Sequence, residues 1–148
     1  MAGSEIDNCV FCPIVRGEAP SYTVFEDELT IAFLDTRPVF AGHTLLIPRA
    51  HHRTLPDLPP ALLAPLFANA QLLCRAVERG LGAEGTFVAM NNGVSQSVPH
   101  LHVHIVPRRR KDGLKGFFWP RAPYPDVAAA RAVQESLTQA VASLRRPA

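Results

Sequence analysis

The segment His100-Leu101-His102-Val103-His104-Ile105-Val106 decides how the rest of the chain is read. Side chains of an extended strand alternate between its faces. The spacing therefore predicts three imidazoles on one face and Leu101, Val103 and Ile105 on the other. Two chemistries compete for such a face. Histidines at i and i+2 lie about 6.5–7 Å apart at Cα and can share a metal ion, whereas His100 and His104 are about twice as far apart. A straight strand does not easily wrap all three around one small cation, so at least one ring has another job. Neutral imidazole is a nucleophile toward phosphorus near neutral pH. The middle ring, His102, suits that role, with one nitrogen aimed at phosphorus and the other held by a backbone carbonyl or a neighbour. His104 then faces the phosphate oxygens or the leaving group.

Outward from this strand, Pro99 and Pro107 read as bookends confining it to residues 100–106. Thr86 to Met90 reads as the preceding strand, joined through Asn91-Asn92-Gly93. Tyr22 to Glu26 and Leu29 to Leu34 form a predicted hairpin around Asp27-Glu28, and His43 to Ile47 a third strand closed by Pro48. Asp57-Leu-Pro-Pro opens a helix with an early kink at Pro65, an apolar stripe of Leu63, Phe67, Ala70, Cys74, Val77 and Leu81, and a stop at Gly80 and Gly82. Asp126 caps a second helix whose stripe is Val133, Leu137, Val141 and Leu144. Clustered strands interrupted by one long helix predict an α+β domain spanning residues 1–148. Its sheet is mainly antiparallel, of about five strands, with a C-terminal helix.

The composition, 47% hydrophobic and 19% charged over 148 residues, excludes disorder, and 14 prolines exclude a coiled coil. The longest apolar runs, such as Leu45-Leu46-Ile47, fall far short of a bilayer span, so no membrane partner is expected. The N-terminus has no basic or apolar leader region, and the expected address is cytoplasmic. A net charge of +2 speaks against a nucleic-acid partner. It divides into +5 over residues 107–121 and −3 elsewhere. Arg108-Arg109-Arg110-Lys111 reads as a solvated loop or as a steering patch for polyphosphate. Phe117-Phe118-Trp119 is costly to expose and is expected against the core or a partner. Cys9-x-x-Cys12 fits redox, structural-thiol and metal readings alike, while Cys74 reads as a small buried hydrophobe.

The histidine pattern resembles the signature of the histidine-triad (HIT) superfamily of nucleotide hydrolases and transferases. The resemblance extends, in order, through Cys9-Val-Phe-Cys12 with Ile14, Phe33-Leu-Asp35, Gly42-His43-Thr-Leu-Leu-Ile-Pro48, His51, Asn91-x-Gly93 and Gln96-Ser97. It covers roughly residues 9–110, and on it the chain looks like a zinc-containing bacterial HIT-like protein.

The resemblance implies that His102 forms a covalent nucleotidyl-histidine intermediate and that a positive His104 acts beside the phosphate. It implies that Asp35 bonds the ribose hydroxyls, that Phe11, Ile14 and Phe33 wall the base, and that Asn91, Gln96 and Ser97 surround the ribose–phosphate. From the residues alone, Phe33 and Ile14 also suit plain core packing, and Asp35 a turn before Thr36. The resemblance further implies a structural zinc on Cys9, Cys12, His51 and His100, no organic cofactor, a purine nucleotide or nucleotide conjugate as substrate, and a homodimer. His43 and His52 read as incidental. The expected reaction is cleavage of a phosphorus bond at the nucleoside α-phosphate, as in a phosphoramidate. Alternatives are a dinucleoside polyphosphate hydrolase, a metal-dependent hydrolase and a non-catalytic nucleotide-binding module.

Overall fold

A computed structural model describes residues 6–115 and 121–145. Residues 117–119, expected against a core or partner, lie outside that range. The chain divides into two compact units, Met1–Asp112 and Gly113–Ala148.

The first unit is built on a five-stranded antiparallel sheet in the order β1-β2-β3-β5-β4. Its strands are β1 (Thr23–Glu26), β2 (Thr30–Leu34), β3 (Thr44–Pro48), β4 (Gly85–Ala89) and β5 (Val103–Arg108). Asp27 shapes the predicted β1–β2 hairpin, its Oδ1 accepting the N–H groups of Leu29 and Thr30. Helix α1 (Cys12–Val15) is a single turn, and α2 (Pro60–Leu81) is the long helix.

Alternation along β2, β3 and β5 gives the sheet two buried faces. Ala32, Leu46, Leu101, Val103 and Ile105 pack beneath α2. Ile31, Phe33, Leu45 and Ile47 face Cys9, Phe11 and Cys12 of the N-terminal segment. A sheet covered on both sides needs near-continuous apolar strands, and β3 is buried at every position.

The long helix differs from expectation in register. Leu66, Ala70, Leu73 and Val77 are buried, whereas the predicted stripe members Leu63 and Phe67 are 38% and 47% exposed and Cys74 is only partly buried. This helix is apolar over an arc wider than the sheet covers, so 3.6-residue periodicity alone could not choose the contact line. By length and composition α2 could cross a bilayer; its Leu66 line is instead packed on the sheet. Asp57 does not cap it, lying in a preceding 3-10 turn (Leu55–Asp57) where it accepts from Thr54 Oγ1. Gly82, in the left-handed region at φ 64°, ends the helix as expected, while Gly80 stays inside it.

Strand β5 also departs from its predicted bounds. It begins at Val103, where the β3 pairing ends at Leu46 opposite Val103 and the β4 pairing has already ended at Ala89 opposite His104. The approach over residues 100–102 is held instead by Leu101 N–H on the His52 carbonyl and by the His100 ring on the Pro48 carbonyl. Pro107 is within β5 and opposite Thr86, past the last β3 partner, Ile105. Its missing N–H therefore costs no β3 bond.

Gly42, before β3, has φ +96°, and a Cβ there would meet Leu81 Cδ1 at 2.2 Å. The Leu81 side chain is half exposed and can swing away, so backbone strain dominates. Gly42→Ala is expected to cost about 1–2 kcal/mol in urea unfolding; a midpoint equal to wild type would contradict this.

The second unit contains α3 (Val127–Leu144), capped by Asp126 Oδ1 on Ala129 N–H as predicted. Its stripe of Val133, Leu137, Val141 and Leu144 is exposed.

Candidate functional site

A cleft of about 700 Å³ opens on the N-terminal-segment face of the sheet. Phe11 and Ile14 enter it from the segment, Phe33 and Asp35 from the end of β2, Ser97 from the loop before the histidines, and His102 and His104 from the β5 approach. Cross-strand register explains the gathering: Phe33 is opposite Leu45, and Leu45 opposite His104, so the three share one row and one face. Phe11 stands edge-on to Phe33 and to His102, each at 5.4 Å between ring centres.

Backbone groups fix the tautomers of His102 and His43 directly, and that of His104 through His43. His102 Nδ1 lies 2.7 Å from the His100 carbonyl. A carbonyl only accepts, so Nδ1 carries the proton and Nε2 keeps its lone pair. Val39 N–H donates to His43 Nδ1 at 3.1 Å, so the His43 proton is on Nε2, which donates to His104 Nδ1 at 2.9 Å. Neutral His104 then carries its own proton on Nε2.

His43, read from sequence as incidental, is thus the group that orients His104. Sequence spacing gave no sign of this, since the two are 61 residues apart and meet only because β3 lies beside β5. Tyr22, Arg37 and Val98 also line the cleft without having been singled out.

Burial, then the neighbouring His102 and His43 rings, push His104 down to about 4, with Asp35 opposing. Burial likewise lowers His43, again against Asp35. This burial favours neutral His104 at pH 7 in the free protein. A buried histidine with a lowered folded-state value leaves the unfolded chain binding more protons between about pH 6.5 and 4. Stability falls as pH drops through that window. The ring of His104, followed by NMR, is expected to titrate near pH 4; a midpoint above 6 would contradict the assignment.

Asp35 makes the turn considered for it and stands at the cleft. Its Oδ1 accepts Arg37 N–H in a turn, and the residue also lines the cleft. Asn91 and Gln96 lie in the adjoining loop but do not line the cleft. Asn91 Nδ2 donates to the Ser95 carbonyl, and Gln96 bonds Gly93 N–H and the Arg53 carbonyl, bracing the loop that carries Ser97.

The basic run is largely committed to structure. Arg108 pairs with Asp112 through two hydrogen bonds, Arg109 bonds the last carbonyls of α2, and Arg110 N–H bonds Glu84. It begins four residues beyond His104, about 13 Å along the strand.

Cys9, Cys12, His51 and His100 form a second cluster, with one potential ligand atom from each within 4.8 Å of the others. His100 Nδ1 is 3.5 Å from Cys9 Sγ and 3.7 Å from Cys12 Sγ, and His51 Nδ1 is 3.3 Å from Cys12 Sγ. Tetrahedral zinc with ordinary Zn–S and Zn–N bonds puts sulfur and nitrogen about 3.5 Å apart, so the donor set fits. His100 Nε2 donates to the Pro48 carbonyl at 2.8 Å, turning the Nδ1 lone pair toward the sulfurs. Burial raises the Cys12 thiol to about 11, with Cys9 adding to the rise. A divalent cation is what would deprotonate such a pair. A third grouping, Asp35, His43 and His104, has its facing histidine nitrogens already joined by a hydrogen bond.

With this geometry in hand, comparison with known proteins is specific. The HIT domain model matches residues 16–111. An adenylylsulfatase of Arabidopsis thaliana is 37% identical over 110 residues, 73% of this chain and 56% of that protein; this chain thus spans just over half of that relative. An adenosine 5'-monophosphoramidase of Schizosaccharomyces pombe is 35% identical over 78% of this chain and 86% of its own length. Among solved structures, a HIT family protein from Bacillus subtilis is similar at TM-score 0.81, with 33% identity and coverage of 95% of this chain and 99% of that one. A Zn-bound histidine triad family protein from Mycobacterium smegmatis is 39% identical at TM-score 0.70, covering 93% and 99%.

Proposed function

The chain belongs to the HIT domain family, and from that membership we propose that it cleaves a phosphorus bond at the α-phosphate of a nucleoside, with His102 as nucleophile. The observation that carries this reading is the His102 tautomer. Nδ1–H is held by the His100 carbonyl, and the unprotonated Nε2 belongs to a ring lining the cleft between aromatic walls and His104. In the first step His102 Nε2 forms a bond to phosphorus as the bond to the leaving group breaks. The His100 carbonyl stabilises the positive charge that develops on the ring. Neutral His104 supplies an N–H to the phosphate oxygens or the departing atom, with His43 holding its orientation. Water then attacks phosphorus, the N–P bond breaks, and a nucleoside monophosphate leaves.

Asp35 accepts from the ribose hydroxyls in this reading, while Phe11, Ile14 and Phe33 take the base, and Ser97, on the loop that Asn91 and Gln96 brace, serves the ribose–phosphate side. The names of the phosphoramidase and adenylylsulfatase relatives favour an adenosine monophosphate product. The commitment of the Arg108 and Arg109 side chains to Asp112 and to the end of α2 weakens the case for a long polyphosphate substrate, leaving the Arg110 side chain, 90% exposed, as its support. We read Cys9, Cys12, His51 and His100 as ligands of a zinc ion that ties the N-terminal segment down and takes no part in the displacement. Leu63 and Phe67 on α2, with Val88 on edge strand β4, leave exposed apolar surface that suits a second copy of the chain. Sedimentation equilibrium is expected to give twice the 16.1 kDa chain mass; a monomer at micromolar concentration would remove the dimer.

The test of function is a substrate panel of adenosine phosphoramidate, adenylyl sulfate and a dinucleoside polyphosphate, quenched during turnover and read by intact mass. A nucleotidyl adduct mapping to His102 is expected with the preferred substrate. Turnover without any adduct, or binding without turnover across the panel, would overturn the reading.

A further inference from the structure

Residues 9–19 fold largely on themselves. Cys9 N–H bonds the Ile6 carbonyl, Val15 bonds Phe11, Arg16 bonds Cys12, and Glu18 and Ala19 both bond Pro13. These backbone bonds close within the segment and none reaches the sheet. A single four-residue turn such as α1 has little stability of its own. Two things tie the segment to the sheet. One is apolar packing on Ile31, Phe33, Leu45 and Ile47; the other is the convergence of both sulfurs on His51 and His100. Phe11 lies between the two sulfurs in sequence, and its ring forms the cleft wall against Phe33 and His102.

The reacting ring is anchored differently. His102 hangs on the His100 carbonyl, and that stretch is held by the His100 ring on Pro48 and by Leu101 on His52. Two of those three ties are made by peptide groups that carry no metal ligand atom. The cluster therefore reaches the cleft by two routes: through His100, whose carbonyl holds His102 within a stretch that keeps its peptide bonds without the ion, and through Phe11, which has only the segment's own anchoring behind it.

We propose that metal occupancy of the Cys9–Cys12–His51–His100 cluster sets nucleotide affinity by holding Phe11 in the cleft wall, which makes Phe11 a positioning residue for the base and the metal a regulator of binding. The proposal rests on the cleft being a nucleotide site, as above. Occupancy then changes Kd and KM far more than kcat, because His102 keeps its own backbone support.

The experiment is a two-by-two cycle: wild type and Phe11→Ala, zinc-loaded and chelated, with AMP affinity by calorimetry and kcat and KM on the preferred substrate. Chelation is expected to weaken AMP binding to wild type roughly tenfold, one well-packed aromatic contact. In Phe11→Ala, already weakened, it should cost less than about twofold. The value of kcat should change less than about threefold. Linkage gives a second readout that does not require a folded metal-free protein. Saturating AMP should raise zinc affinity against a competing chelator by the same factor in wild type and hardly at all in Phe11→Ala. Equal chelation factors in both proteins, an AMP effect on zinc affinity that survives in Phe11→Ala, or a fall in kcat with Kd unchanged would each overturn the proposal. Zinc-loaded wild type that does not bind AMP at all would instead count against the nucleotide reading.

Discussion

Alanine in place of His102 is expected to abolish turnover, lowering kcat by about 10⁴-fold or more, while AMP binding changes only severalfold. The asymmetry follows from where the ring sits. Its Nε2 is the only nitrogen of the His102–His104 pair left with a lone pair, because the His104 lone pair is on Nδ1 and is taken by His43. No other group in the row can assume the nucleophile's place in its neutral form. Binding, in the proposed reading, rests on the cleft residues Phe11, Ile14, Phe33 and Asp35, which the substitution leaves intact. His102→Ala removes a ring that packs against Phe11 and His104, so circular dichroism and a melting curve should accompany the assay. His102→Asn, which keeps a polar group in that space, separates lost chemistry from lost packing. Turnover in either variant within tenfold of wild type would sink the covalent route. It would favour water attack directed by another group.

The second large effect concerns the metal cluster. Cys12→Ser is expected to lose bound zinc and to lower stability by about 3–5 kcal/mol, a fall in Tm of roughly 10–15 °C. Cys12 is the ligand to choose, because its sulfur lies within 3.7 Å of both His51 and His100 nitrogens. Wild type should carry one zinc per chain by atomic absorption, and the amount should be unaltered in His102→Ala. Were zinc to disappear with His102 and remain with Cys12→Ser, the histidine row would be the metal site and the hydrolysis metal-assisted. An unchanged Tm on losing zinc would separate the ion from folding altogether.

The alternation of histidine and aliphatic residues at 100–105 was legible because it reflects a two-residue period that local backbone geometry enforces. Leu101, Val103 and Ile105 are indeed on the α2 face. The Cys9–Cys12–His51–His100 grouping came from family resemblance, and the donor distances bring it together. What escaped was whatever depends on the order of strands or on competition between equally good local choices. His43 needs β3 beside β5 before it has a partner. Helix α2 offers two adjacent apolar lines, and only the shape of the sheet selects Leu66 over Phe67. Pro107 looked like a strand end, yet it is tolerated inside β5 because β3 has already stopped. The resemblance implied Asn91 and Gln96 beside the ribose–phosphate, and a sequence does not reveal that Asn91 Nδ2 is bonded to Ser95 or that both ends of the Gln96 amide are bonded to Gly93 and Arg53.

The peptide groups that fix the imidazole protons have a consequence for how such a chain can change. The carbonyl of His100 and the amide of Val39 are main-chain atoms, present whatever side chains those positions carry. The cleft walls, in contrast, are made of side chains alone. Substitution can therefore reshape what the cleft accepts while the tautomers of His102, His43 and His104 stay written in the backbone. In the proposed reading, the groups that ready the nucleophile and the groups that choose its substrate can be altered one without the other.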